Sequence, residues 1–269
     1  MSILANRRDP ATRRPRVTQL RVIRSEWIKF WSLRSTTITL AVAVLLFVGL
    51  GLLAASMSAS GQLEDGDGPG NPVDLSLAGM NFAQLIVGTL GVLFMAGEYS
   101  TGMIRSSLAA VPGRLGVLWG KAMVFAVVTF VLMLVSAFLA FLGGQAILGD
   151  SGASLSDPGV VRAIAGSAGY LTSAGLLGLA LGALLRSTPA ALSTYFGVMF
   201  LLSGIVGLLL PESWRDNVGP YLPESAGAAM GAVTRGENEL TPWGGLLVLL
   251  AYLAIVGGAA AWRLKRQDA

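Results

Sequence analysis

The sequence predicts an all-α, polytopic integral membrane protein with six transmembrane helices, an interfacial helix ahead of the first, and both termini on the cytoplasmic side. Three observations predict it. The 269-residue chain is 54% hydrophobic and only 13% charged, whereas a soluble domain is about a quarter charged. Its apolar residues gather into six runs of the length that crosses a hydrocarbon core, about 20 residues in a helix. Its basic residues are shared very unequally between the segments that join those runs, and such residues mark the cytoplasmic side.

Residues 1–19 are rich in Arg and read as a disordered cytoplasmic arm. Residues 20–35 follow as an interfacial helix. Leu20, Ile23, Trp27, Ile28 and Trp31 recur at helical spacing, opposite Arg21, Arg24, Ser25, Lys29 and Ser32. A helix with Trp on one face and basic residues on the other lies in the membrane interface. Arg24, Glu26, Trp27, Lys29, Trp31 and Arg34 are the residues that would fix it there. Paired Arg residues before an apolar run also resemble a secretory signal, but this run is too long for a signal core and five more follow.

The six runs cover residues 36–59, 77–97, 117–142, 164–185, 190–210 and 243–262, so that 36–262 form one membrane domain and 263–269 a tail. The fourth run carries Gly178 and Gly182 in GLLGLALGALL, the small-residue spacing that lets two membrane helices approach closely. The first outer loop holds Glu64, Asp65 and Asp67, whose spacing matches no calcium loop. The last outer segment, 211–242, alternates Pro and Gly with short apolar pieces and predicts short helices at the outer leaflet.

Orientation follows from the basic residues. Nine lie between Arg7 and Arg34, Arg105, Arg114 and Lys121 follow the second run, Arg186 follows the fourth, and Arg263, Lys265 and Arg266 close the chain. The opposite side has Arg162, Arg215 and Arg235 alone. The preponderance of Arg over Lys, with abundant Gly and Ala, points to a GC-rich bacterial genome and hence to a bacterial plasma membrane.

Composition also excludes chemistry. With no Cys and no His, the usual zinc sites and a Ser-His dyad cannot be built. No run has an ionisable residue at its middle, where ion-coupled carriers place theirs. Glu98 stands at the end of the second run, and Asn81, Gln84 and Thr89 are the most polar residues within one. The nearest approach to a phosphate-binding loop, GRLGVLWGK at 113–121, has the wrong spacing and continues with Ala122. The chain therefore reads as a non-enzyme that binds no nucleic acid or cofactor of its own, and any transport it performs needs energy from elsewhere.

One polar stretch interrupts this pattern. In GEYSTGMIRSSLAAVPGR (97–114), Ile104, Leu108, Val111 and Leu115 fall on one face of a short helix. Ser100 or Thr101 is placed to cap its start and Pro112 to end it. Physics alone leaves two uses open: a plain connection, or an element that carries force from a soluble partner into the membrane.

This stretch, with SEWIKFWSLRSTT (25–37), GLLGLALGALLRST in the fourth run and YLPESAGAAM (221–230), resembles the permease subunit of ABC-2 type ABC transporters, a group that includes bacterial multidrug and antibiotic exporters. The E-Y-x-x-G-x-I-R element followed by P-x-R is the most specific part, and Met103 departs from the Thr that the family commonly has there. The resemblance implies that 98–114 is a coupling helix contacting a separate ABC ATPase subunit, with ATP and magnesium on that subunit. Glu98, Tyr99, Gly102, Ile104, Arg105 and Arg114 match the motif. Ile104 and Leu108 would fill a groove on the ATPase, Arg105 would pair with an acidic rim, and Glu98 would fix the join of helix and span. The working unit would contain a second copy or a homologous permease and export an amphipathic or lipid-like substrate. The rival expectation is a membrane scaffold or regulatory subunit that transports nothing.

Overall fold

A computed structural model describes residues 18–62, 71–104, 114–209, 211–236 and 238–266. The arm 1–17, the acids Glu64, Asp65 and Asp67, and residues 105–113 with Arg105 and Leu108 lie outside them, as does the end of the tail, 267–269.

Every regular element among the described residues is helical. Besides two short 3-10 turns, Gly149–Ser151 and Gly219–Tyr221, they are in order α1 (Gln19–Ser32), α2 (Arg34–Ala59), α3 (Pro72–Ser76), α4 (Met80–Ser100), α5 (Arg114–Leu148), α6 (Val160–Leu185), α7 (Thr188–Leu209), α8 (Glu212–Val218), α9 (Pro223–Gly231) and α10 (Pro242–Arg266). Six of these, α2, α4, α5, α6, α7 and α10, are long and apolar enough to cross a membrane. The chain is a multi-pass integral membrane protein.

Each predicted run corresponds to one of the six, with ends shifted by a few residues. The largest shift is in α5. Its 35 residues make a helix of about 50 Å at 1.5 Å per residue, well beyond the roughly 30 Å of a hydrocarbon core. The helix starts three residues before the predicted run and ends six after it, so Lys121 stands two turns into it.

Local chemistry sets the short elements. Asn71 accepts a hydrogen bond from the Val73 amide at 2.9 Å, and Pro72 opens α3 at the first helical position, where its missing N–H loses nothing. Gln145 of α5 then donates to the Ser76 hydroxyl at 2.9 Å and to the Pro72 carbonyl at 3.1 Å. The predicted short helices of 211–242 are α8 and α9, and Ala226, Ala229 and Met230 of α9 are buried.

The core centres on α4 and α6, the two best-buried spans. Their contact is a glycine seam. A Cβ on Gly91 would stand 2.0 Å from the Gly175 carbonyl oxygen, one on Gly178 2.2 Å from that of Gly88, and one on Gly182 3.0 Å from that of Val92. Backbone meets backbone there. Since lipid removes the hydrophobic drive between helices, such close contact is what holds them.

Helix α7 is built in two halves. Its first half buries Tyr195, whose hydroxyl donates to the Gln84 carbonyl of α4 at 2.8 Å, while Gly88 leaves room for the ring. The buried Gln84 side chain also accepts from the Tyr170 hydroxyl of α6. A wide π-helical turn at Gly197–Leu201 follows, and beyond it only Val206 of Leu202–Leu209 is buried.

The seam gives a direct expectation. Gly178→Leu should destabilise the fold by about 1–3 kcal/mol or more, the usual effect of overpacking, read as an earlier thermal loss of the monodisperse species in detergent. Gly204→Leu should be nearly neutral, because a Cβ there meets nothing within 4 Å. Equal losses in the two variants would remove the seam from the account.

Candidate functional site

Helix α1 has no cap hydrogen bond from Thr18 and owes its position to packing. Val22, Glu26 and Phe30, at steps of four, form its buried face. The sequence reading did not anticipate this second face. Trp27, Ile28 and Trp31 remain exposed, so the Trp-bearing face is left for the surroundings, and a second, narrower face carrying an acid packs on the bundle. Arg24 and Arg34 are exposed as well. Apolar spacing locates a face that avoids water, and for an interfacial helix that face meets lipid.

Glu26 is drawn inward by opposite charge. It meets Lys121 of α5, with Lys121 Nζ 2.8 Å from Glu26 Oε2 and 2.9 Å from Oε1 of Glu98 at the end of α4. Lys29 closes the group, its Nζ 2.8 Å from Glu26 Oε1 and 3.3 Å from Glu98 Oε1. Lys121 and Glu26 are almost wholly buried and Glu98 nearly so; the Lys29 side chain is 31% exposed. Two carboxylates thus face two ammonium groups, and each ammonium touches both carboxylates.

An unpaired charge in such a place would be very costly; four that neutralise one another are tolerable. A lysine ammonium is a compact charge with three donors, suited to bridging two carboxylates, and two of the three lysines in the chain are here. Aromatic rings floor the cluster. Lys121 Nζ stands 4.0 Å from the Phe94 ring centroid, and the Phe30 ring meets Phe94 edge-on at 5.1 Å. Burial pulls the Lys29 ammonium down, but hydrogen bonding and attraction to Glu26, with Glu98 adding, outweigh it and hold its pKa above the ordinary lysine value. Being raised, it contributes stability that is complete below the unfolded value of about 10.4 and lost only as pH rises through the folded one.

The cluster joins three elements. It ties α1 to both roots of the stretch at 98–114, since α4 enters that stretch at Glu98 and α5 leaves it seven residues before Lys121. The Ser100 and Thr101 hydroxyls donate back to the Gly97 carbonyl, each at 2.9 Å, and finish α4. Gly102 follows at φ 72°, the left-handed conformation that ends a helix and that glycine adopts freely. That reversal turns Ile104 inward. Predicted to project into a partner, Ile104 is 3% exposed and packed in the chain's own core, whereas Met103 is exposed. Tyr99 lies under the Arg186 guanidinium, 5.4 Å from ring centroid to carbon, and Arg263 of α10 donates to the Leu184 carbonyl. Arg114 opens α5. The ends of α4, α6 and α10 and the start of α5 therefore meet at one end of the bundle.

Sequence reasoning missed Glu26 and Lys121 as partners. Their signal was present: an acid on an otherwise basic helix, and a lysine one turn inside an apolar run. Comparison with models of known protein families finds no match to the chain, and comparison with curated proteins finds none either.

Lys121→Met, which leaves two buried carboxylates, Glu26 and Glu98, with Lys29 as the one cation of the cluster, should cost about 3–5 kcal/mol in thermal unfolding. Adding Glu98→Gln should return part of that loss, because one carboxylate then remains for Lys29. Losses that simply add would mean that the four groups do not act as a unit.

Proposed function

We propose that this chain is the membrane-spanning permease subunit of an ATP-driven exporter of the ABC-2 type. It sits in the bacterial plasma membrane with both termini cytoplasmic, and 98–114 receives motion from a separate ATPase subunit that binds ATP and magnesium. Two permeases, identical or homologous, assemble with two ATPase subunits. ATP binding closes the ATPase pair, and the path opens for an amphipathic or lipid-like substrate.

The observation that carries this reading is the four-charge cluster. A loop that receives force needs roots that do not yield separately. Here both roots are bound to each other and to the interfacial helix by buried ion pairs. A push on 98–114 is then shared by α1, α4 and α5. The excess of basic residues at this end supports its cytoplasmic placement. With Ile104 turned inward, the contact surface falls to Met103, Arg105 and Leu108. Helices α7 and α10, the least buried spans along with α2, are those left to meet lipid or a second permease.

The test is co-expression with a Walker-A ATPase encoded beside this chain. Arg105→Glu with Leu108→Asp should leave expression unchanged and weaken ATPase retention and stimulation at least tenfold, which is about 1.4 kcal/mol, less than one strong interface residue contributes. Equal retention and stimulation in both versions, or no association at all, would move the chain to the scaffold class.

A further inference from the structure

A groove of about 440 Å³ runs between α5, α6 and α10 on the outside of the bundle. All its lining residues are apolar, including Leu118 and Trp119 of α5, Leu176 of α6, and Ala254, Gly257 and Gly258 of α10. It is open space rather than a packing seam, because a Cβ on Gly257 or Gly258 would meet nothing within 4 Å. Along α10 it reaches from Leu250 to Ala261, about 17 Å at 1.5 Å per residue. That is close to half of a hydrocarbon core of about 30 Å, the depth of one leaflet. A neighbouring helix would need a contact through both leaflets; a single acyl chain needs only this one.

The headgroup end is equally defined. The last turn of α10 carries Arg263, Lys265 and Arg266. Lys265 lies seven residues beyond Gly258 and eleven beyond Ala254, the same side of a helix with 3.6 residues per turn, so it stands at the head of the groove. Lys265 and Arg266 are both exposed, and the Arg266 guanidinium lies 4.6 Å from the centroid of the Trp262 ring, an amphipathic residue of the membrane interface.

We propose that this groove binds one acyl chain of an anionic phospholipid from the leaflet at the C-terminal end of α10, with the lipid phosphate held at Lys265 and Arg266. Trp119 projects from α5 on the side away from Lys121, two residues on. The bound chain therefore packs against the back of the helix whose inner face carries the charge cluster, and holds it in place. The site requires that the six helices lie in a bilayer and is independent of the exporter reading.

The experiment uses the full chain in phosphatidylcholine vesicles containing, at equal mole fraction, brominated phosphatidylglycerol or brominated phosphatidylcholine. Bromine quenches nearby tryptophan, and the difference between wild type and Trp119→Phe isolates Trp119. Phosphatidylglycerol should reach half-maximal quenching at a mole fraction lower by roughly fivefold for each basic residue engaged, the factor that matches about 1 kcal/mol per Lys or Arg near a membrane surface. Gly258→Leu should abolish the preference by filling the groove, and its fold is checked by thermal unfolding. Lys265→Gln with Arg266→Gln should abolish it while the groove stays open. Equal quenching by the two lipids, a preference that survives Gly258→Leu, or quenching that disappears as protein density in the vesicle rises would each overturn the proposal, the last because a second copy would then occupy the groove.

Discussion

Charge neutrality in a dry place is the constraint on which the rest of this structure depends. Glu26, Lys29, Glu98 and Lys121 come from three helices that are far apart in sequence, and none of the buried ones is stable there without the others. Their mutual contact fixes where α1 lies on the bundle, how α4 ends and how α5 begins. The Phe30, Phe94 and Phe125 rings, with centroids 5.1 to 6.3 Å apart, exclude water from one side and keep the pairs short. One end of the protein is thus held by electrostatics while the middle is held by backbone contact along α4 and α6.

These two fastenings suit different tasks. The glycine seam has no side chains to rearrange, so α4 and α6 move as one body. The ionic end joins elements that arrive from different directions, and it ties a helix lying along the membrane to two that cross it. A force applied between α4 and α5 meets a junction rather than two independent helix ends. This is the physical basis for assigning the stretch between them a receiving role.

Most of the architecture was legible in the sequence because a bilayer imposes one strong rule on helix length and apolarity. All six spans were placed within a few residues. The glycine pair Gly178 and Gly182 was legible as a contact of some kind, though the α4 backbone it meets, at Gly88 and Val92, was not. The charge cluster was not legible. Basic residues near a membrane are normally explained by topology, and that explanation satisfied Lys29 and Lys121 without any need for a partner. Gln84 stood out with Asn81 and Thr89 as the most polar part of a run, but its partners Tyr170 and Tyr195 did not, because a phenol in an apolar run shows nothing until packing brings it to an acceptor. The inward turn at Ile104 depends on the backbone of Gly102, and periodicity carries no information about such a turn.

The π-helical turn in α7 has a geometric consequence of its own. One residue more than an α-helical turn requires is accommodated at Gly197–Leu201, and each residue of an α-helix advances the azimuth by about 100°. The phase of Leu202–Leu209 is therefore decoupled from that of Thr188–Phe196. Tyr195 anchors the first half, and a single insertion or deletion within the turn would rotate the second like a key, presenting a different stripe of α7 to its surroundings while the anchored half stayed still.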